Sequence, residues 1–220
     1  MKHIVFFAVF VFGVVSLYAD SDTVFNSPLN AADENRFDEV CTKLSGNDFL
    51  KGKFNQTKTI VKINKRLKSS GTFVISKNDG IIWKTEKPFA STTAVGKDFI
   101  VQASANGSIS KIDAGKNDTF MRISETLRSV FTGNSKSIKD NFFVFFIEST
   151  NGSKSEWSIG LVPKEKEFKT FAKSIILKGS TLIAELIIEE ESGDTIQWEL
   201  FDYIYPKELD QNEKNIFFTK

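Results

Sequence analysis

The side chains that most often carry catalysis are scarce in this chain, which has one histidine and one cysteine in 220 residues. The histidine is His3, so the rest of the sequence offers no imidazole for Ser-His-Asp or Cys-His catalysis and no histidine ligand for a metal. Cys41 is alone, which excludes an intramolecular disulfide and a thiolate zinc cluster. We therefore expect no metal and no cofactor.

Carboxylates are the one class of catalytic side chain present in number, with 28 Asp and Glu residues. Two of them could serve as the acid pair of a glycosidase, but no spacing in the sequence singles out a pair. Neither of the glycine-rich loops that bind nucleotide phosphates, GxxxxGK[ST] and GxGxxG, is present. We interpret the chain as a protein without enzymatic activity, and a carboxylate-dependent hydrolase is the alternative.

The first 19 residues have the order of a secretory signal peptide. Lys2 supplies a positive charge, residues 4–17 are uncharged and mostly apolar, and Ala19 precedes the polar Asp20. The apolar run is shorter than the roughly 20 residues that a membrane-spanning helix needs. An uncleaved anchor is the alternative, because Leu17 is larger than the residue usual at that position before a cut. The sequence predicts cleavage after Ala19 and a mature chain, residues 20–220, outside the cytoplasm.

The charge balance argues against one class of partner. Removing the signal would leave 28 basic residues (29 − 1) and 28 acidic residues, a formal net charge of zero. Proteins that bind nucleic acid usually carry basic stripes. We therefore expect no nucleic-acid partner and interpret the charges as solvated surface.

Hydrophobic periodicity predicts a long series of strands interrupted by helix. One helix is predicted over residues 30–45, after a flexible leader at 20–32, and a second over 118–132. About ten or eleven strands are predicted, at 48–61, 70–76, 81–85, 91–95, 98–102, 108–112, 141–148, 156–162, 170–177, 181–189 and 195–203. No linker divides the mature chain. The sequence therefore predicts one mainly β (α+β) domain, a single strongly curved antiparallel sheet with the helices as a lid on its concave side.

The apolar residues on the concave side allow two interpretations. The chain has 22 Phe, so there is much apolar area to bury. The helices could close tightly on the sheet and leave an ordinary core, or close loosely and leave an apolar cavity for a ligand.

Several short motifs occur in an order that resembles the periplasmic lipoprotein carrier family, LolA. Phe54-Asn55-Gln56 is similar to the family's F-x-Q at the first strand, and Gly71 to Ile75 to its G-x-[LF]-x-[IV] strand. Trp83 and Pro88 match W-x-x-x-x-P, and Trp157 to Pro163 resembles [WY]-x-[LI]-x-L-x-P. The likeness covers roughly residues 33–218.

The resemblance implies an unclosed β-barrel of eleven strands with a helical lid. It further implies a periplasmic carrier that holds the acyl chains of lipoproteins in an apolar cavity and moves them from the inner to the outer membrane. The cavity residues implied here are Phe54, Phe73, Trp83, Phe99, Ile123, Leu127, Phe131 and Val144. The implied partners are acylated lipoproteins, an inner-membrane lipoprotein-releasing ABC transporter and an outer-membrane acceptor lipoprotein, with the chain itself a monomer.

One departure from the family concerns closure of the lid. Family members often have an Arg in the hairpin before the Trp that hydrogen-bonds the lid, and Lys77 stands at the matching position. Lysine can donate a hydrogen bond but lacks the planar fork of arginine. Lys77 is thus a candidate lid latch, or else a solvated turn residue.

A lipid-sensing or envelope-stress regulatory module on the same fold is the alternative function. The anchored acceptor lipoprotein is disfavoured because the signal segment has no lipid-attachment cysteine.

Overall fold

The computed structural model describes residues 23–96, 99–104, 108–113, 128–151, 154–170 and 172–218. Eleven strands of this part form one antiparallel sheet: β1 Phe49–Ile60, β2 Lys65–Ser76, β3 Gly80–Lys87, β4 Ser91–Gly96, β5 Phe99–Ser104, β6 Ile109–Asp113, β7 Phe142–Asn151, β8 Lys154–Pro163, β9 Ser174–Gly179, β10 Ile183–Glu189 and β11 Thr195–Ile204. The spatial order is β6-β5-β4-β3-β2-β1-β11-β10-β9-β8-β7. The two edge strands, β6 and β7, are not paired with each other, so the sheet is open. This confirms the predicted mainly β fold and the unclosed barrel.

Four α-helices with both ends described accompany the sheet: α1 Glu34–Leu44, α2 Ser135–Asn141, α3 Lys166–Lys169 and α4 Gln211–Phe218. Residues 128–131 are also helical. Short 3-10 helices lie at Thr23–Asn26 and Val61–Ile63. No helix among them is long and apolar enough to cross a bilayer. Residues 1–22, which include the predicted signal, and residues 114–127, which include most of the predicted second helix, lie outside the described residues.

Helix α1 is shorter than the predicted helix over residues 30–45. Its N-cap is Asp33, because the Asn30 side chain closes a turn just before it. The Oδ1 atom of Asn30 accepts hydrogen bonds from the backbone N–H groups of Ala32 and Asp33, at 2.8 and 3.2 Å. An Asn that bonds its own following backbone favours a turn over a helix.

Helix α1 packs on what we call the inner face of the sheet. Phe37, Val40 and Cys41, spaced as one side of a helix, are buried there in the main core. The ring of Phe37 meets that of Phe146 on β7 edge to face, at a centroid distance of 5.9 Å. Arg36 on the exposed side of α1 bonds Glu148 of β7, with Nη2 and Oε2 2.8 Å apart.

Residues 23–29 pair with the sheet, so the expectation of a flexible leader at residues 20–32 was wrong for this part of the chain. The Leu29 N–H donates to the Val144 carbonyl, and the Phe146 N–H donates to the Ser27 carbonyl, both at 2.9 Å. The ring of Phe25 packs against Phe145. The segment therefore pairs with the edge of β7, which would otherwise be open to other chains.

Two further features were not predicted, the early start of β2 and the helix α4. Strand β2 begins at Lys65, five residues before the predicted start, because the chain reverses over Val61–Ile63 and Asn64 adopts a left-handed conformation with φ of 48°. Helix α4 lies on the outer face of the sheet near β4. Its residue Phe217 joins Leu209, Val74, Ile82 and Ala94 in a second buried cluster.

Candidate functional site

The centre of the inner face is an aromatic cluster built on β1, β2, β3 and β11. Trp83 lies in the middle, with ring centroids at 4.7 Å from Phe54, 5.4 Å from Phe73 and 5.9 Å from Trp198. We call Phe54, Phe73, Trp83 and Trp198 the aromatic floor. Phe54 and Phe73 are fully buried, whereas Trp83 and Trp198 are partly exposed.

Strand register explains why these rings meet. Phe73 is directly opposite Trp83, and side chains opposite each other in antiparallel strands share a face. Phe54 and Trp83 are on strands that are not neighbours, because β2 lies between them. The residue of β2 opposite Phe54 is Gly71, which has no side chain. The rings of β1 and β3 can therefore approach each other.

Two indole N–H groups in the floor have no hydrogen-bond partner among the described residues. The Nε1 atoms of Trp83 and Trp198 are both buried, and neither finds an acceptor in the part of the chain that the structure describes. Leaving a buried donor unsatisfied costs roughly 1–3 kcal/mol. By contrast, Nε1 of Trp157 on β8 donates to the Ser180 carbonyl at 2.6 Å. The floor thus combines apolar rings with two free donors.

Polar side chains border the floor on the same face. Gln56 stands opposite Trp198, Thr93 opposite Trp83, and Gln102 opposite Thr93. An apolar surface with a polar border and a few donors is the usual composition of a site for an amphipathic ligand.

The structure brings together four of the predicted cavity residues. Phe131 packs over the floor, 6.5 Å from Trp83 between ring centroids, and joins Phe54, Phe73 and Trp83 in the main core. Residues 128–131 are helical, in agreement with the end of the predicted second helix. Ile123 and Leu127 lie outside the described residues.

The other two predicted cavity residues lie elsewhere. Phe99 packs against the outer cluster with Val101, because it begins β5 one position out of step with the inner face, so we exclude it from the site. Val144 lies on the inner face of β7, packed against the main core. Trp198 was missed, because only the pairing of β11 with β1 places it beside Trp83.

Lys77 begins the turn between β2 and β3 and is exposed. It lines a polar cleft with Arg128, Thr132 and Asn134, at the end of the helical segment that covers the floor. Its backbone N–H donates to the Asp48 carbonyl, but no described residue accepts a hydrogen bond from its side chain. The position suits a latch, and the latch remains a prediction.

Cys41 on α1 reports the packing of this helix against the sheet. Its side chain is 1% exposed, and burial, together with the nearby Asp38 carboxylate, raises the pKa of the thiol from 9.0 to about 12. At pH 8 the thiolate fraction is then on the order of 10³ lower than in the unfolded chain. We expect a disulfide reagent to modify Cys41 more than 100-fold more slowly in the native chain than in urea. Equal rates would contradict the packing of α1.

Gly133 lies between the segment over the floor and α2, close against the end of α1. It has a φ of +62°, and a Cβ atom there would lie 2.0 Å from the Cys41 carbonyl oxygen. We expect Gly133→Ala to lower the free energy of unfolding, measured in urea, by about 1–2 kcal/mol more than Gly193→Ala. Gly193 is the matched control, because it has a φ of +83° with nothing within 4 Å. Equal losses would show that the contact with α1 is unimportant.

The open eleven-stranded sheet, with helix α1 on its inner face, is the architecture that the sequence motifs imply. No family model and no curated protein matches the chain.

Among solved structures, the chain is similar to the LolA superfamily protein NE2245 from Nitrosomonas europaea, with 7% identity, 81% of this chain and 96% of that chain covered, and a TM-score of 0.45. It is also similar to a DUF1329 family protein from Desulfovibrio piger, with 9% identity, 84% and 97% coverage and a TM-score of 0.39. It is similar to MucB with 10% identity, over 83% of this chain and 62% of that chain, with a TM-score of 0.38.

Proposed function

We propose that this chain binds the acyl chains of lipidated molecules on the aromatic floor and carries them outside the cytoplasm. The observation that carries the proposal is the pair of free indole donors, on Trp83 and Trp198, within an otherwise apolar cluster. An acyl group joined through an ester or amide matches this surface, because its hydrocarbon suits the rings and its carbonyl oxygen can accept from an indole N–H.

The energetics favour a carrier for such a ligand. Each buried CH₂ is worth about 0.8 kcal/mol, so a long acyl chain does not cross water unaided. Transport therefore needs an apolar site that travels with the ligand, and no nucleotide or metal is needed for binding itself.

The finer form of the proposal is a periplasmic lipoprotein carrier. In this form the chain receives acylated lipoproteins from an inner-membrane ABC transporter and delivers them to the outer membrane, where an acceptor lipoprotein can take them. It requires export and cleavage after Ala19, which N-terminal sequencing of the exported protein tests. A mature protein that begins at Asp20 supports export, and retention of Met1 contradicts it.

Binding and transfer experiments test the proposal in sequence. Purified mature protein should retain a palmitoylated peptide through gel filtration and should not retain the same peptide without the acyl group. Vesicles loaded with acylated peptide should then lose it to unloaded vesicles faster when the protein is present. Absence of acyl-dependent binding would overturn the proposal. Binding without transfer, with a stable protein partner, would favour the lipid-sensing or envelope-stress module instead.

A further inference from the structure

Exposed apolar side chains gather at one end of the sheet. Among the nine large hydrophobic residues that are exposed in the described part of the chain, five lie at this end: Val61, Ile63, Leu67, Phe89 and Ile109. Strand register places all five at the same end, where the β1–β2 turn, the β3–β4 connection and the pairing of Ala103 with Ile109 are found. Scattered exposed apolar residues are ordinary, but a cluster on adjacent loops marks an interaction surface.

The β1–β2 hairpin projects beyond its neighbours at this end. Pairing of β2 with β3 stops at Ser70, and pairing of β1 with β11 stops at Thr59. Residues 60–68, which we call the hairpin tip, therefore have no neighbouring strand outside the hairpin. Val61, Ile63 and Leu67 in the tip are 58%, 57% and 53% exposed.

The hairpin is strongly basic. From residue 49 to residue 78 the sequence contains no Asp or Glu and eight basic residues: Lys51, Lys53, Lys58, Lys62, Lys65, Arg66, Lys68 and Lys77. Away from the tip, Lys51, Lys53 and Lys58 are paired with the carboxylates of Glu213, Asp202 and Glu190.

The four cations of the tip, Lys62, Lys65, Arg66 and Lys68, are exposed and form no ion pair with a described residue. Two acidic residues of the β10–β11 turn, Glu190 and Asp194, already bind the hairpin elsewhere. Glu190 binds Lys58, and Asp194 accepts a hydrogen bond from the Val61 N–H at 3.0 Å. The tip therefore presents a net positive charge beside its aliphatic side chains.

Two simpler explanations fit less well. Lysines on an unpaired strand commonly prevent edge-to-edge association, but that purpose is opposed by exposed Val, Ile and Leu side chains in the same tip. Pairing of two copies through the tip would bring four cations of each copy together, which like-charge repulsion disfavours. A bilayer with anionic lipid offers phosphates to the cations and hydrocarbon to the apolar side chains.

We propose that the hairpin tip, with Phe89 and Ile109 at the same end of the sheet, docks on the surface of a bilayer that contains anionic phospholipid. Val61, Ile63 and Leu67 enter the interface, and the four cations lie at the level of the phosphates. Docking uses the loops at one end of the sheet and does not depend on the aromatic floor.

Sedimentation with vesicles tests the proposal directly. We expect the mature chain to bind phosphatidylcholine vesicles that contain phosphatidylglycerol at least about tenfold more tightly than vesicles without it, with binding weakened by salt. The variants K62S/K65S/R66S/K68S and V61S/I63S/L67S should each lose about tenfold or more of this affinity. Ile204→Ser and Lys207→Ser are the matched controls, because both residues are exposed and lie at or just after the far end of β11.

Three results would overturn the proposal. One is equal binding to both kinds of vesicle. Another is unaltered binding by both tip variants when circular dichroism shows that they are folded. The third is a dimer in light scattering that V61S/I63S/L67S abolishes, which would make the tip an interface between copies. Uptake of acylated peptide should be unchanged in the tip variants, so failure of docking is distinguishable from failure of acyl binding.

Discussion

Replacing Phe54 with alanine is expected to lower the free energy of unfolding by about 3–5 kcal/mol. The ring is fully buried, lies 4.7 Å from the ring of Trp83 and belongs to the main core. Removing it leaves a cavity within the aromatic floor, which the neighbouring rings can fill only in part. Urea unfolding followed by circular dichroism measures the loss.

Phe201→Ala is the control for this prediction. Phe201 lies on β11, the strand beside β1, but it is 37% exposed and points away from the floor. We expect it to cost less than half as much as Phe54→Ala, because the loss scales with the apolar area that is withdrawn from contact. Equal losses in the two variants would show that Phe54 has no special place in the core.

Replacing Trp83 and Trp198 together with phenylalanine is expected to weaken binding of an acyl amide roughly 30-fold. The change keeps an aromatic ring at both positions and removes both indole donors, each worth about 1 kcal/mol in a hydrogen bond. A palmitoyl group joined through an amide should lose this affinity. A hexadecyl chain joined through a thioether has no carbonyl oxygen and should lose much less. Isothermal titration with the two peptides measures the difference.

The double variant W83F/W198F is also expected to lose little free energy of unfolding, less than the free energy of acyl binding that it loses. The two N–H groups have no acceptor among the described residues, so removing them also removes an unsatisfied buried donor from each site. Trp157→Phe is the control, because that indole donates to the Ser180 carbonyl. We expect the control to cost stability without affecting acyl binding. Equal weakening for both peptides would show that the donors do not select a carbonyl.

The alternation of apolar residues was enough to predict most of the sheet, because strand side chains repeat every two residues. Register was not predictable in this way. Trp198 joins Trp83 only because β11, late in the sequence, pairs with β1. Phe99 illustrates the opposite error, since the pairing of Gln102 with Thr93 puts Gln102 on the inner face and therefore Phe99, three residues earlier, on the outer one.

Two other features were missed for different reasons. Helix α4 has only a weak apolar stripe, and Phe217 is buried because Leu209 and the outer face of β2 to β4 surround it. The basic character of the β1–β2 hairpin could be predicted from the sequence, because residues 49–78 contain no Asp or Glu. Averaging charge over the whole mature chain gave zero and concealed it.

Contact between an acyl chain and the aromatic floor is the central claim, and fluorescence quenching by a brominated acyl peptide tests it most directly. The variant Trp157→Phe keeps Trp83 and Trp198, and the double variant W83F/W198F keeps only Trp157. At saturating peptide, we predict strong quenching in the first variant and little in the second, with no quenching by the unbrominated peptide. Quenching of Trp157 as strong as that of the other two, or no quenching in either variant, would contradict the account.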